Sequence, residues 1–191
     1  MSVEYFEKGR IRKLRSTETD KFRDHLMRLD KQSRRLRFAH SVSDEFIDAY
    51  AGRMDDMGGV VFGYFADSGL RATAELRKIS DTWGHKAEAA FSVEKSIQGH
   101  GIGTELMGRV FSAARNRGVS QLYMSCLAEN ARMQAIARKY EAELRFEYGE
   151  VVGEIVPQGP NYFSMFAEAM EDRRTCMLTV LDLQKRIMKV A

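Results

Sequence analysis

An α/β domain followed by a long C-terminal helix is the fold class that the sequence predicts, and three observations predict it. Short β-type runs alternate with stretches whose apolar residues recur at three- and four-residue steps. A glycine-dense segment, Gln98-Gly99-His100-Gly101-Ile102-Gly103, stands between one such run and one such stretch. The prolines, Pro157 and Pro160, lie close together and mark one internal boundary. That boundary divides a domain over residues 1–157 from a helical extension over 158–191. With 191 residues the chain can bury one sizeable core but not two comfortable ones.

Residues 10–15 alternate as a first strand, with Ile11 and Leu14 apolar among basic neighbours. Asp20 to Leu29 follows as a helix, with Phe22, Leu26 and Leu29 on one face and Thr19 as its cap. Ser43 or Asp44 opens a second helix through Tyr50. Val60 to Phe65 is a strand, Asp67-Ser68-Gly69 a hairpin turn, and Leu70 to about Ile79 the returning strand. Residues 86–93 form another strand before the glycine segment. A helix from Thr104 to Arg117 then buries Leu106, Val110, Phe111 and Ala114, and Gly118 stops it. Gln121 to Cys126 is a strand, Asn130 to Lys139 a helix, and residues 142–148 and 150–156 the last two strands.

Composition narrows the class of partner. Thirty basic against 27 acidic residues leave a net charge of +3, which gives no ground for a nucleic-acid partner. Nowhere do about 18 apolar residues run together and the first residues carry no apolar signal core, so a cytoplasmic protein without a membrane span is expected. Cys126 and Cys176 lack metal-ligand spacing, and reduced thiols and no metal are expected.

The glycine segment carries the chemistry. Backbone N–H groups without Cβ atoms in front of them converge there, and the first unpaired amides of the following helix add the positive end of its dipole. A dinucleotide fingerprint would need glycine at 104 or 106, where Thr104 and Leu106 stand, and no Gly-Lys-Ser/Thr follows. The pattern Q/R-x-x-G-x-G/A does fit, with Val93 five residues before Gln98. It resembles the pyrophosphate-binding signature of the GNAT acetyltransferases, and the order of elements over residues 10–156 is similar to theirs. The resemblance implies a mixed sheet that splays open between the strand before the glycine loop and the strand after its helix. It implies acetyl-CoA as acyl donor, with backbone amides of Gln98, Gly99, His100, Gly101, Ile102, Gly103 and Thr104 on its pyrophosphate. Phe91, Ser92 and Val93 would pair with the pantetheine arm, the Val93 N–H polarising the thioester carbonyl. The His100 side chain is expected to be exposed.

Acyl transfer to an amine also needs a base. Glu88, in Ala87-Glu88-Ala89-Ala90-Phe91, is a carboxylate inside an apolar strand, and it either faces a cleft or is the outward position of a half-exposed strand. The Ala-Glu-x-x-Phe pattern resembles that of protein-lysine acetyltransferases, which implies Glu88 as base. Glu75 is the alternative carboxylate, and a base acting through an ordered water is a third. Tyr140 is either the acid for the leaving thiolate or a packing residue at a helix end. Glu141 stands where the family usually has glycine. Asn130 matches an Asn that the family turns toward the coenzyme, and it also fits a helix N-cap.

Ser33-Arg34-Arg35-Leu36-Arg37-Phe38 lies between the first two helices and resembles a segment of the GNAT domains of bacterial protein acetyltransferases. Leu36 and Phe38 would seat a loop on the core while the arginines stay wet and favour an acceptor bearing carboxylates. In the extension, Phe163, Phe166, Met170, Met177, Leu181 and Met188 recur at helical steps, with Met165, Leu178 and Ile187 beside them. A helix over 161–190 would reach ~40 Å and is expected to dock a second copy or another protein. Two functions are consistent with these readings: an N-acetyltransferase acting on protein lysine or a small amine, or a non-catalytic module that senses acetyl-CoA. An unrelated nucleotide-phosphate binder is the remote third.

Overall fold

A computed structural model describes residues 9–54, 58–66, 69–157, 165 and 168–170. Among the described residues seven strands form one sheet in the order β1-β2-β3-β4-β5-β7-β6. They are β1 (Arg10–Lys13), β2 (Val60–Ala66), β3 (Gly69–Lys78), β4 (Lys86–Val93), β5 (Gln121–Leu127), β6 (Glu143–Glu147) and β7 (Glu150–Ile155). Every neighbouring pair is antiparallel except β4 and β5, which are parallel. The helices are α1 (Thr19–Arg28), α2 (Lys31–Phe38), α3 (Asp44–Gly52), α4 (Ile102–Asn116) and α5 (Ala131–Lys139).

Strand alternation separates two apolar layers. Ala87 and Ala89 of β4, with Ala72, Ala74 and Leu76 of β3, face α4 and meet Leu106, Met107 and Val110. On the opposite face α1 and α3 close over a smaller cluster built on Phe22, Leu26, Ile47 and Tyr50. Phe22, Leu26 and Ile47 are fully buried, each stabilising the fold by roughly 1.5–3 kcal/mol.

The element order follows the expectation except between residues 31 and 38. That segment is a helix, not a loop. The Asp30 side chain accepts from the Ser33 N–H at 3.0 Å and from the Ser33 hydroxyl at 2.7 Å, which supplies the N-cap. Only Leu36 and Phe38 are apolar there, too few to mark a period. Thr19 is not a cap: a 3-10 turn over Ser16–Glu18 precedes α1, and the Thr19 hydroxyl bonds back to the Ser16 carbonyl. Ser43 does cap α3, accepting from the Phe46 N–H. α4 starts at Ile102 rather than Thr104. Residues 67 and 68 of the expected hairpin turn lie outside the described residues.

Both central helices end in the same way. Gly118 takes φ +72 and Glu141 φ +58, and each is followed by a bond from the next N–H to a carbonyl five residues back, Val119 to Ala114 and Ala142 to Ala137. These are left-handed stops of the Schellman type. The absence of glycine at 141 therefore leaves the turn intact but strained, because Cβ crowds the carbonyl in this conformation. Glu141→Gly is expected to stabilise the protein by about 0.5–1 kcal/mol, read as a rise of about 2–3 °C in thermal unfolding. An unchanged or lower midpoint would show that the turn stores no strain.

Most of the expected C-terminal helix lies outside the described residues. Met165 and Met170 are about half exposed. Glu168 binds Lys13 of β1 at 2.8 Å, Arg117 at 3.0 Å and Asn116 at the end of α4. These bonds outweigh burial and hold its carboxyl below the ordinary range.

Candidate active site

Strands β4 and β5 part company midway. Their pairing stops at Glu88 opposite Tyr123, while β4 continues to Val93 and β5 to Leu127. β3 stays paired with β4 through Ala72 opposite Val93. A fork therefore opens beyond Glu88, as the expected splay requires. The Glu94 N–H bonds the Arg71 carbonyl at 3.1 Å. By antiparallel alternation the N–H groups of Phe91 and Val93 then turn away from β3, into the fork. α2 packs against both β4 and β5 and roofs the fork on one face.

Past the open end of β4 lies the glycine loop. Gly99 and Gly101 hold φ +87 and +80, and a Cβ at either would meet nothing within 4 Å. Backbone conformation, not lack of room, demands glycine at both. Glu105 makes the first α4 bond, to the Gly101 carbonyl. The N–H groups of Ile102, Gly103 and Thr104 precede it and have no intrahelical acceptor. The Gln98 amide donates to the Val93 carbonyl at 2.8 Å and accepts from Arg132 of α5. It thus fastens the loop to the strand and brings a guanidinium beside the cradle. Nothing local in the sequence marks Arg132 for this place. The His100 side chain is exposed, as expected.

Glu88 sits at the vertex of the fork, half-buried, with Arg77 opposite on β3 and Tyr123 on β5. It lies on the face away from α4. Glu75 is nearby, opposite Ala90, but is 2% exposed and committed. It accepts from Arg37 at 2.5 Å, the Tyr50 hydroxyl at 2.7 Å and Arg77 at 2.8 Å. Burial pushes its carboxyl up and Arg37 pulls it back. Burial also lowers Arg77 to about 10. Buried and held by Arg37, Tyr50 and Arg77, Glu75 is engaged within the protein and is a poorer candidate than Glu88 to meet an amine.

Of the α2 arginines Arg35 stays wet, its side chain 41% exposed as expected, whereas Arg37 does not. The Arg37 side chain is 6% exposed against Glu75. Arg34 caps α1 through the Leu29 and Met27 carbonyls and pairs with Asp44, and Arg35 pairs with Glu129. Each of the three cations has a carboxylate partner within the chain, which weakens the expected attraction for acceptor carboxylates.

Tyr140 ends α5 with its ring on Phe111, centroids 5.7 Å apart, and its hydroxyl donates to the Thr104 carbonyl at 3.0 Å. Burial raises its pKa. These contacts join α5 to the first turn of α4. Asn130 caps α5 by accepting from the Met133 N–H at 3.1 Å. Cys126 is buried, which pushes its thiol up, and Cys176 lies outside the described residues. No helix among the described residues is long and apolar enough to cross a membrane, and no three His, Cys, Asp or Glu among them could hold a metal.

The sequence model of the acetyltransferase (GNAT) family matches residues 22–141. Among solved structures, the GNAT domain of S. lividans PAT is 21% identical with a TM-score of 0.67, covering 78% of this chain and 90% of its own. YncA of Salmonella typhimurium, a putative acetyltransferase solved with acetyl-CoA, is 14% identical with a TM-score of 0.59, covering 82% of this chain and 99% of its own. The PaiA N-acetyltransferase of Thermoplasma acidophilum, solved with coenzyme A, is 17% identical with a TM-score of 0.60, covering 78% and 99%.

Proposed function

The chain belongs to the GNAT family of acetyltransferases, and from that premise we propose that it moves an acetyl group from acetyl-CoA directly to an amine. The observation that carries this reading is the fork. A carboxylate stands at its vertex, unpaired strand amides line one arm, and an anion cradle lies at its open end. Amides of Gln98 to Thr104 hold the pyrophosphate, and Arg132 adds charge beside it. Asn130, with its Oδ1 occupied by the cap, can turn only its amide N–H groups toward the coenzyme.

Glu88 accepts one proton of the acceptor ammonium, the amine nitrogen bonds the acyl carbon, the C–S bond breaks, and the second proton shed by the nitrogen as the amide forms goes to the departing thiolate. At about 3.3 Å per residue, Val93 lies roughly 16 Å along β4 from Glu88 and Phe91 roughly 10 Å. A carboxylate, an amine and a thioester carbonyl fit the shorter span. The Phe91 N–H is therefore the better donor to that carbonyl, with Val93 further up the pantetheine arm. Tyr140 would have to release the Thr104 carbonyl to serve as acid, and its packing role needs no such change.

The acceptor is protein lysine or a small amine, and its cationic character has support. Glu88, Tyr123, Glu154 and Glu143 follow in register across four strands. On that face β6 and β7 present Glu143, Glu147, Glu150 and Glu154 against Arg145 alone.

The reading is tested by calorimetric binding of acetyl-CoA, coenzyme A and ATP, with thiol release followed over amines and lysine peptides. Binding with turnover is expected. Binding without turnover would favour the sensory module, and preference for ATP would remove the acetyl-CoA reading. Gly101→Val is expected to weaken acetyl-CoA by about five- to thirtyfold. A side chain at φ +80 costs about 1–2 kcal/mol, and 1.4 kcal/mol is about tenfold in affinity. An unchanged Kd in the variant would show that the loop is no cradle.

A further inference from the structure

Beneath the fork a chain of side chains crosses from β3 through β4 into α1. The Thr73 and Ser92 hydroxyls lie 2.6 Å apart, Ser92 Oγ is 2.8 Å from His25 Nε2, and His25 Nδ1 is 3.2 Å from Glu94 Oε1. Arg28 and Arg71 close the far end on Glu94 at 3.0 and 2.9 Å. His25 and Thr73 are wholly buried, with Ser92 at 5% and Glu94 at 7% exposure. The proton inventory gives the chain one direction. An ionised Glu94 can only accept, so Nδ1 carries the hydrogen and Nε2 accepts from Ser92, which in turn accepts from Thr73. Burial pushes the His25 imidazole below its ordinary range against the pull of Glu94. Burial would raise Glu94, but His25, Arg28 and Arg71 together draw it below the ordinary carboxylate range.

The chain grips the stretch of β4 that matters most. Ser92 lies between Phe91 and Val93, whose N–H groups face the fork, and Glu94 leads directly into the turn before Gln98. Beyond Glu88 β4 has no β5 neighbour and is paired on its β3 edge alone, so the side-chain anchoring of Ser92 and Glu94 adds a second restraint on its pitch. An apolar residue at 25 would pack equally well beside Phe22 and Leu26 without the cost of burying a polar ring.

We propose that His25 is a positioning residue for acetyl-CoA, aiming the Phe91 and Val93 amides by holding Ser92 and Glu94 from below the strand. The inference rests on the acetyl-CoA reading above. His25 touches neither the coenzyme nor the amine.

The test compares wild type, His25→Leu, His25→Gln and Ser92→Ala by acetyl-CoA calorimetry, steady-state kinetics and thermal unfolding. Leu fills the space without hydrogen bonds, whereas Gln retains one donor and one acceptor. His25→Leu is expected to weaken acetyl-CoA at least tenfold and lower kcat, with KM for the amine within twofold. His25→Gln recovers most of both, which general loosening would not produce. Ser92→Ala removes one hydroxyl and is expected to follow His25→Leu more mildly, which serves if the Leu variant does not fold. Folded variants that keep Kd and kcat within twofold of wild type would overturn the inference and leave the coenzyme reading standing. Wild-type protein that binds no acetyl-CoA would overturn both.

Discussion

Glu88→Gln is expected to lower the turnover of amine acetylation by roughly 10²–10⁴-fold, the usual contribution of a positioned general base. The acetyl-CoA Kd should stay within twofold, because the glycine loop proposed to hold the pyrophosphate lies beyond the other end of β4. Glutamine keeps the shape and removes only the ability to take a proton. The loss should shrink as pH rises toward the pKa of the acceptor amine, since free amine then forms without help. Kinetics from pH 6 to 10 on the variant and wild type make this measurement. Turnover within threefold of wild type at pH 7 would dismiss Glu88 and leave an ordered water as the base.

Arg37→Met is expected to destabilise the fold by about 3–5 kcal/mol, because it leaves a buried carboxylate short of its main counter-ion. The Arg37–Glu75 contact is among the most enclosed ion pairs here, with side chains 6% and 3% exposed. Tyr50 and Arg77 still reach Glu75, which places the loss toward the lower end. At about 2–4 °C per kcal/mol for a chain this size, the unfolding midpoint should fall by about 6–12 °C. Arg37→Met combined with Glu75→Gln should recover at least half, since a neutral amide no longer needs the cation. A single-variant loss under about 1 kcal/mol would mean that the pair is not what holds α2 over β3.

Most elements were legible because their signals are local. β4 was read to the residue, and Gly118 announced the stop after α4. The helix at 31–38 was missed, since its cap is the pairing of Asp30 with Ser33 and its sequence is mostly basic. The glycine loop was legible because its conformation belongs to the residues themselves: few side chains accept φ values near +80. Arg132 beside that loop was not, nor was Glu75 held by Arg37, Tyr50 and Arg77. These partners stand 34 positions apart in the first case and up to 38 in the second, and no periodicity encodes such a meeting.

By itself the sequence determined the alternation of strands and helices, the glycine loop before α4, and a carboxylate inside an apolar strand, all of them properties of neighbouring residues and backbone preference. Only the tertiary structure decided that β4 and β5 part at Glu88, that the α2 arginines are neutralised internally, and that His25 reaches Ser92 and Glu94. Those outcomes depend on which buried polar groups meet across the sheet, and burial makes each donor take the nearest acceptor however distant it is along the chain.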